Sequence, residues 1–323
     1  MKKSLSLLLL IFGFVYVYAQ DNNLNNLFAD SSAQNNMPVI ATFKSGILIN
    51  AQTIETMHKH DLLFEVGHRF GDIGGKYGGS KTFYGFDLIS DVLIGFEYGI
   101  SDRLTVGLGR DKGAANFANV NQTQLLYGTL KYRLLQQTIN NQVPLAITLF
   151  GRGIVSTMAS QITNTDADFK NFKSRLSGVG QIIIARKFSS NFSLELLPTY
   201  VRREDVVGPD PKNMFAMGIG GRIKVTKRMA IVADYFLPFR SSQVTNYFST
   251  QFNTLFYNPL AVGLEIETGG HVFHIDFTNA TSILENQFIP GTTSNWSKGQ
   301  FRWGFNFSRT FTIGGSKNKH WKK

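Results

Sequence analysis

The chain of 323 residues carries a formal net charge of +11, is 43% hydrophobic and 13% aromatic, and contains 28 Phe, 31 Gly and no Cys. The missing thiols exclude disulfides, thiolate metal sites, cysteine nucleophiles and an acylated N-terminal cysteine. The positive charge makes no nucleic-acid surface, because the basic residues are scattered singly, apart from Lys2 and Lys3 at one end and Lys317, Lys319, Lys322 and Lys323 at the other.

Lys2 and Lys3 precede an apolar run over 5–17 and the small-residue site Val17-Tyr18-Ala19, the pattern of a secretory signal peptide (1–19) cleaved near Ala19. That run is shorter than the roughly 18 to 20 apolar residues a membrane-spanning helix needs. No later stretch reaches that length without a charge or a glycine, so any spanning must be done by strands. Residues 20–38, rich in Asn, Asp, Ser and Gln, read as a flexible polar lead. Residues 39–57 are extended in character, with Ile47, Ile49 and Ile54.

From Asp61 onward, segments of alternating character recur, each near the roughly 9 to 11 residues of one tilted membrane strand. Over 62–70, Leu62, Phe64, Val66 and Phe70 share one face, while Glu65, Gly67 and Arg69 share the other. The next strands oppose Val92, Ile94, Phe96 and Tyr98 to Gly95 and Glu97, then Leu104, Val106 and Leu108 to Thr105, Gly107 and Gly109. Further on, Leu126, Leu130 and Tyr132 oppose Thr129, Lys131 and Arg133, and Leu145, Ile147 and Leu149 oppose Ala146, Thr148 and Arg152. The stretch 175–187 is strand-like but gives no clear facing, since Gln181 and Arg186 fall on opposite sides. Phe192, Leu194 and Leu196 then oppose Ser193 and Glu195. Phe215, Met217, Ile219 and Ile223 oppose Gly218, Gly220 and Arg222, and Ile231, Ala233, Tyr235 and Leu237 oppose Asp234. The last three strands oppose Leu260, Val262, Leu264 and Ile266 to Glu265 and Glu267, Phe273, Ile275 and Phe277 to His274 and Asp276, and Phe301, Trp303, Phe305 and Phe307 to Arg302.

A soluble β-sandwich also alternates, but its buried face is the apolar one and seldom carries Glu, Arg or Asp at mid-strand in nearly every strand. Lipid outside and water inside account for apolar-out, polar-in. The fold class is therefore all-β: a closed antiparallel transmembrane barrel over 58–313 with about twelve strands, twelve to fourteen, and a basic tail over 314–323. Link lengths agree, with short periplasmic turns near 100–103, 188–191, 226–228 and 268–270 and a moderate one at 136–142. Long outer loops fall at 71–86, 111–122, 156–173, 203–212, 238–258 and 280–299. An even count from Asp61 returns both ends to the periplasm and leaves 39–57 over. That segment is expected inside or beneath the barrel as a plug, with a fourteen-strand barrel as the rival arrangement if 38–44 pairs separately.

The stretches His68-Arg69-Phe70-Gly71, Leu130-Lys131-Tyr132-Arg133-Leu134-Leu135, Ile184-Ala185-Arg186-Lys187-Phe188 and Glu267-Thr268-Gly269-Gly270-His271-Val272-Phe273 closely resemble a Bacteroidota outer-membrane β-barrel family catalogued only as a domain of unknown function. The likeness covers roughly 40–313. It implies the same barrel and the same membrane, and it implies no activity.

The chemistry that an enzyme would need is thin. His274 and Asp276 share a face without an evident serine at the same depth, so a polar lumen pair is expected and not a catalytic set. His58, His60 and Asp61 sit in a turn and make no metal site. Gly74-Gly75-Lys76-Tyr77-Gly78-Gly79-Ser80 lacks phosphate-loop spacing and reads as an outer loop. No enzyme activity, cofactor or metal is expected. The candidate functional residues line the lumen: Glu65, Arg69, Glu97, Lys131, Arg133, Arg152, Glu195, Arg222, Asp234, Glu265, His274, Asp276 and Arg302. The leading expectation is an outer-membrane pore or transporter for a small solute, gated by the N-terminal segment. Behind it stand a closed docking barrel that holds a protein partner at the outer membrane and, more remotely, a lipid-modifying enzyme. The lipid of that membrane is the one partner every reading shares.

Overall fold

A computed structural model of the chain describes residues 37–113, 123–160 and 167–313. The stretches read from sequence as a signal peptide, a polar lead up to residue 36 and a basic tail, and most of the 111–122 link, lie outside them.

Twelve strands form the wall among the described residues: β1 (Asp61–Asp72), β2 (Ile89–Ser101), β3 (Leu104–Gly113), β4 (Gln124–Leu135), β5 (Ala146–Ser156) and β6 (Leu176–Lys187) in the first half. The second half is β7 (Phe192–Arg203), β8 (Asn213–Lys224), β9 (Met229–Pro238), β10 (Leu260–Thr268), β11 (His271–Thr278) and β12 (Arg302–Thr312). Each pairs antiparallel with its sequence neighbours, and β1 closes on β12 from Asp61↔Thr312 upward, so the sheet has no free edge. Closure satisfies the strands' backbone groups within the wall, which hydrocarbon demands. The fourteen-strand arrangement is not realised, since Pro38 makes only a single bridge to Thr138.

Period-two alternation decides which side chains face in. On β7, Ser193, Glu195, Leu197, Thr199, Val201 and Arg203 are buried, while Phe192, Leu194, Leu196 and Tyr200 are more exposed on the other face. The same rule settles β6, where Gln181, Ile183 and Ala185 are buried and Ile182 is exposed. Outward residues such as Ile94, Phe96, Leu108, Leu130 and Phe215 are 41–66% exposed, as a lipid-facing surface should be. The β6–β7 ladder skips from Gln181↔Thr199 to Ile184↔Leu196, around Pro198, which has no N–H to donate. Among the described residues no helix is long and apolar enough to cross a membrane.

Five short connections lie at the end where β1 begins and β12 finishes. Two of them are two-residue links, β2–β3 and β10–β11; the latter runs through Gly269 and Gly270, both at positive φ (49° and 109°), as a hairpin turn that follows the strand twist requires. At the opposite end the β9–β10 link carries α1 (Ser242–Phe252), started by the Ser241 side chain accepting from the Val244 N–H and ended at Asn253 in the left-handed conformation. Val244 and Phe248 of α1 pack with Val207 and Phe256 as a small cluster apart from the main core.

Candidate functional site

The main core is the lumen itself, and two segments fill it. The first enters from the short-turn end. Pro38 bridges Thr138, the Val39 N–H donates to the Gln137 carbonyl at 2.7 Å, and Lys187 Nζ donates to the carbonyls of Ile40 and Ala41, each at 3.2 Å. The chain then rises and folds back as a hairpin. The Thr53 N–H donates to the Gly46 carbonyl and the Leu48 N–H to the Ala51 carbonyl, both at 2.8 Å, with a bridge between Ile47 and Gln52. On the way out, the Met57 N–H reaches Thr105 Oγ1 at 2.8 Å and the Lys59 N–H reaches Asp102 Oδ1 at 2.9 Å, just before β1.

A strand-free backbone inside a barrel needs partners for its amides, and the wall supplies them. At the tip, Asp234 Oδ2 accepts the N–H groups of Ile49, Asn50 and Ala51 at 3.2, 2.7 and 3.1 Å, and its Oδ1 accepts Asn50 Nδ2 at 3.1 Å. Arg69 Nη2 and Asn306 Nδ2 both donate to the Ile49 carbonyl at 3.1 Å, Lys131 Nζ to that of Gly46 at 2.9 Å, and Thr148 Oγ1 to that of Ile54 at 2.9 Å. Phe43, Leu48, Ile49 and Ile54 add apolar contact in one buried cluster with Phe150, Ile183, Leu197 and Val232.

The second segment descends from the long-loop end, between β11 and β12. It contains a short helix, α2 (Glu285–Gly291), of which all seven residues are buried. The N–H of Ile283, just before it, donates to Asp91 Oδ2 at 2.8 Å, Glu285 forms an ion pair with Arg152, and Asn286 Nδ2 donates to Ser177 Oγ at 2.9 Å. Phe288 meets Phe236 edge-on with ring centroids 5.2 Å apart. The sequence reading of 280–299 as an exposed outer loop is corrected here: Ile283, Leu284, Phe288 and Ile289 are at most 7% exposed, and the hydrophobic effect draws them into the lumen. The two inserts touch where Gln52 Nε2 donates to Glu285 Oε1 at 3.1 Å. Beside this contact lies a cavity of about 20 Å³ between Gln52, Glu65, Arg152 and Ile283, room for about one water.

Of the thirteen sequence candidates, Glu65, Arg69, Glu97, Lys131, Arg152, Glu195, Arg222, Asp234, Glu265, His274, Asp276 and Arg302 are all buried on the inner face. Arg133 is not among them: it lies half-buried near the short-turn end of β4, donating to Gln136 Oε1 at 3.4 Å, because alternation says nothing about where along a strand the lumen stops. The geometry pairs Arg69 with Asp276 at 3.5 Å, Lys131 with Glu97 at 3.9 Å and Arg222 with Glu265 at 2.7 Å. Arg302 pairs with Asp72. His274 and Asp276 do not meet as a pair; His274 Nε2 lies 3.3 Å from Glu265 instead. At the turn before β1, His58 is 81% exposed beside Asp102. Among the described residues no group of three His, Cys, Asp or Glu is placed to hold a metal ion.

Sequence reasoning missed Asp91, Asp111 and Glu285. Asp91 and Asp111 are fully buried on the inner face of neighbouring strands β2 and β3. Extending the two alternations by one step, from Leu93 and Gly95 back to Asp91 and from Gly109 on to Asp111, finds both. Nothing periodic marks Glu285; the apolar residues flanking it in an otherwise polar link are its one signal.

The family described as "Membrane bound beta barrel domain (DUF5777)" matches residues 43–311. No curated protein matches the chain. Among solved structures, the chain is similar to a KdgM porin at 6% identity and a TM-score of 0.45, covering 78% of this chain and 99% of that one. It is similar to the COG4313 outer membrane channel from Pseudomonas putida F1 at 12% identity and 0.45, covering 80% and 98%. The Acinetobacter baumannii outer membrane protein Omp33 follows at 10% identity and 0.38, covering 78% and 99%. At such identities and scores these likenesses bear on neither solute nor mechanism.

Proposed function

The chain belongs to the membrane bound beta barrel domain family (DUF5777), and from that premise we propose that it is an outer-membrane pore for a small hydrophilic solute, held closed by the N-terminal hairpin from the periplasmic side and by the β11–β12 segment from outside. The observation that carries this reading is the chemistry of the seat. The hairpin tip is held by hydrogen bonds to Asp234, Arg69 and Asn306, side chains that hydrate readily when the tip leaves. A wall built only to be filled is better served by apolar residues, because buried charges cost desolvation that well-packed hydrophobes avoid. Polar walls behind both inserts suit a lumen that is wet in another state.

A closed docking barrel is the second reading, supported by the completeness of the filling and by an outer groove of about 810 Å³ bordered by Lys170, Lys173, Glu204, Asp205, Lys212 and Tyr247. Planar-bilayer recording separates the two. The purified full chain is expected to give rare openings, and a form lacking 39–57 a larger and steadier conductance. Silence from both forms refutes the pore.

A further inference from the structure

The chain is basic overall, at +11, but its lumen is not. On the wall strands, the described residues include eight buried carboxylates against six buried cationic side chains. Every one of those six already has a carboxylate within 4.0 Å: Arg69, Lys131, Arg152, Arg203, Arg222 and Arg302 take Asp276, Glu97, Glu285, Asp210, Glu265 and Asp72 respectively. Because three of those partners, Glu285, Asp210 and Asp72, are not among the eight, five wall carboxylates (Glu65, Asp91, Asp111, Glu195 and Asp234) have no cation within that distance among the described residues. Of these, Glu195 and Asp234 lie against the hairpin tip.

These two carboxylates stand on one rung of the wall, because Glu195 pairs with Gly220 and Gly220 pairs with Asp234. Their backbones are therefore about 10 Å apart, two strand spacings, with no side chain between. The rung continues on either side through Ala185 and Ala261, so small residues flank the acids and leave room in front of them. A Cβ placed on Gly220 would come within 2.9 Å of Glu195 Oε1 and 2.6 Å of Leu48 Cδ1, so the Glu195 carboxylate lies over the glycine and the hairpin tip covers it. Glu195 is 1% exposed, and neither of its oxygens has a hydrogen-bond donor among the described residues. Asp234 is held only by the tip: three backbone N–H groups and the Asn50 amide.

We infer that Glu195 and Asp234 form a cation subsite of the open lumen, and that the converging amides of the hairpin tip stand in for the cation while the barrel is closed. Backbone N–H groups carry partial positive charge, and three aimed at one oxygen satisfy it as a bound cation would. When the tip leaves, Asp234 loses all four donors and Glu195 loses its apolar cover together. Water then reaches two carboxylates in a low-dielectric wall with no fixed cation between them. Such a site concentrates counter-ions on the order of tenfold or more. The solute class is small hydrated cations, with anions disfavoured.

This inference rests on the pore reading, and its test keeps the two apart. The full-length chain carrying Asn50→Pro, which removes the shortest amide donor and the side-chain donor without touching the wall, is recorded in planar bilayers under a KCl gradient. The expected result is conductance with a potassium-over-chloride permeability ratio on the order of ten. Adding Glu195→Gln and Asp234→Asn to that chain should lower the ratio at least about threefold at unchanged pore size; Glu195→Gln alone, isosteric, is read the same way should the triple variant fail to insert. Conductance that is anion-selective or unselective, or a ratio these substitutions leave unchanged, overturns the cation subsite and leaves the pore standing. No conductance in any form overturns both.

Discussion

Asp234→Asn tests the seat of the hairpin with almost no change of shape. In the native wall one carboxylate oxygen accepts three backbone N–H groups and the other accepts Asn50 Nδ2. An amide offers one acceptor and one donor pair. If its oxygen takes the backbone amides, its NH2 faces the Asn50 NH2; if it turns over, the NH2 faces three N–H groups. Either way the charge assistance of the three backbone bonds is lost. A hydrogen bond to a charged group contributes about 1.5–3 kcal/mol and a neutral one about 0.5–1.5, so the tip loses roughly 3 kcal/mol of docking energy. At about 1.4 kcal/mol per tenfold, that raises the undocked population about a hundredfold. The chain has no native Cys, and the Ala51 side chain is fully buried, so Ala51→Cys is a clean reporter for a water-soluble thiol reagent. Labelling follows the undocked fraction when redocking is fast, and is expected to speed up about a hundredfold in Asp234→Asn. Adding Asn50→Asp should slow it again, because the carboxylate now on the tip accepts from the amide now on the wall and stays within reach of Arg69, whose Nη2 lies 3.4 Å from Asn50 Oδ1. Labelling that changes by less than about threefold, or a double variant that labels as fast as the two single effects added, refutes the latch.

Glu285→Gln leaves Arg152 buried without its ion-pair partner, which destabilises the outer insert by about 3 kcal/mol; a thiol introduced by Ser282→Cys should then label far faster from the outer side while the wall stays folded. The junction before β1 should respond to acid. The Lys59 N–H, and after it His58, hold the Asp102 carboxyl below the ordinary carboxylate range. A depressed folded value means that the bond's contribution is complete above about pH 4 and is lost as pH falls through the lower folded value. Exchange of the Lys59 amide, corrected for its intrinsic rate, should therefore accelerate only in that acid window, and Asp102→Asn should erase the step.

The wall was legible because its two solvents impose one rule. Hydrocarbon outside and a polar interior force every second residue to change character, so Ser193 and Glu195 could be told from Phe192 and Leu194 with no knowledge of their neighbours. Strand parity likewise set 39–57 apart. What sequence could not give was who meets whom. Lys131 and Glu97 sit on β4 and β2, with β3 between them, and their meeting depends on the registers of two ladders. Asp234 has partners that leave no side-chain signature at all, since three of its four donors are backbone amides of Ile49, Asn50 and Ala51. The outer insert was misread because a link's length and polar flanks say that it leaves the wall, not whether it turns outward to water or inward to the lumen.

Both inserts are fastened by groups that differ in how they bear exposure, and this sets an order of release. The hairpin tip's anchor is a carboxylate on the wall facing uncharged amides, so undocking separates no buried ion pair, only the part-exposed one between Lys44 and Glu267 at 3.0 Å, and leaves Asp234 to be hydrated in place. The outer insert is held by Glu285 against Arg152, and its departure strands a guanidinium that lies over the Tyr127 ring at 4.7 Å. Breaking a buried charge pair costs more than rehydrating one carboxylate. Apolar burial does not order the two, since leaving the lumen exposes Phe288 and Ile289 of α2 and equally Leu48 and Ile49 of the hairpin; the buried charge pair does. The N-terminal hairpin is therefore the segment that moves first, and because Gln52 donates to Glu285, its withdrawal removes one of the outer insert's own hydrogen bonds.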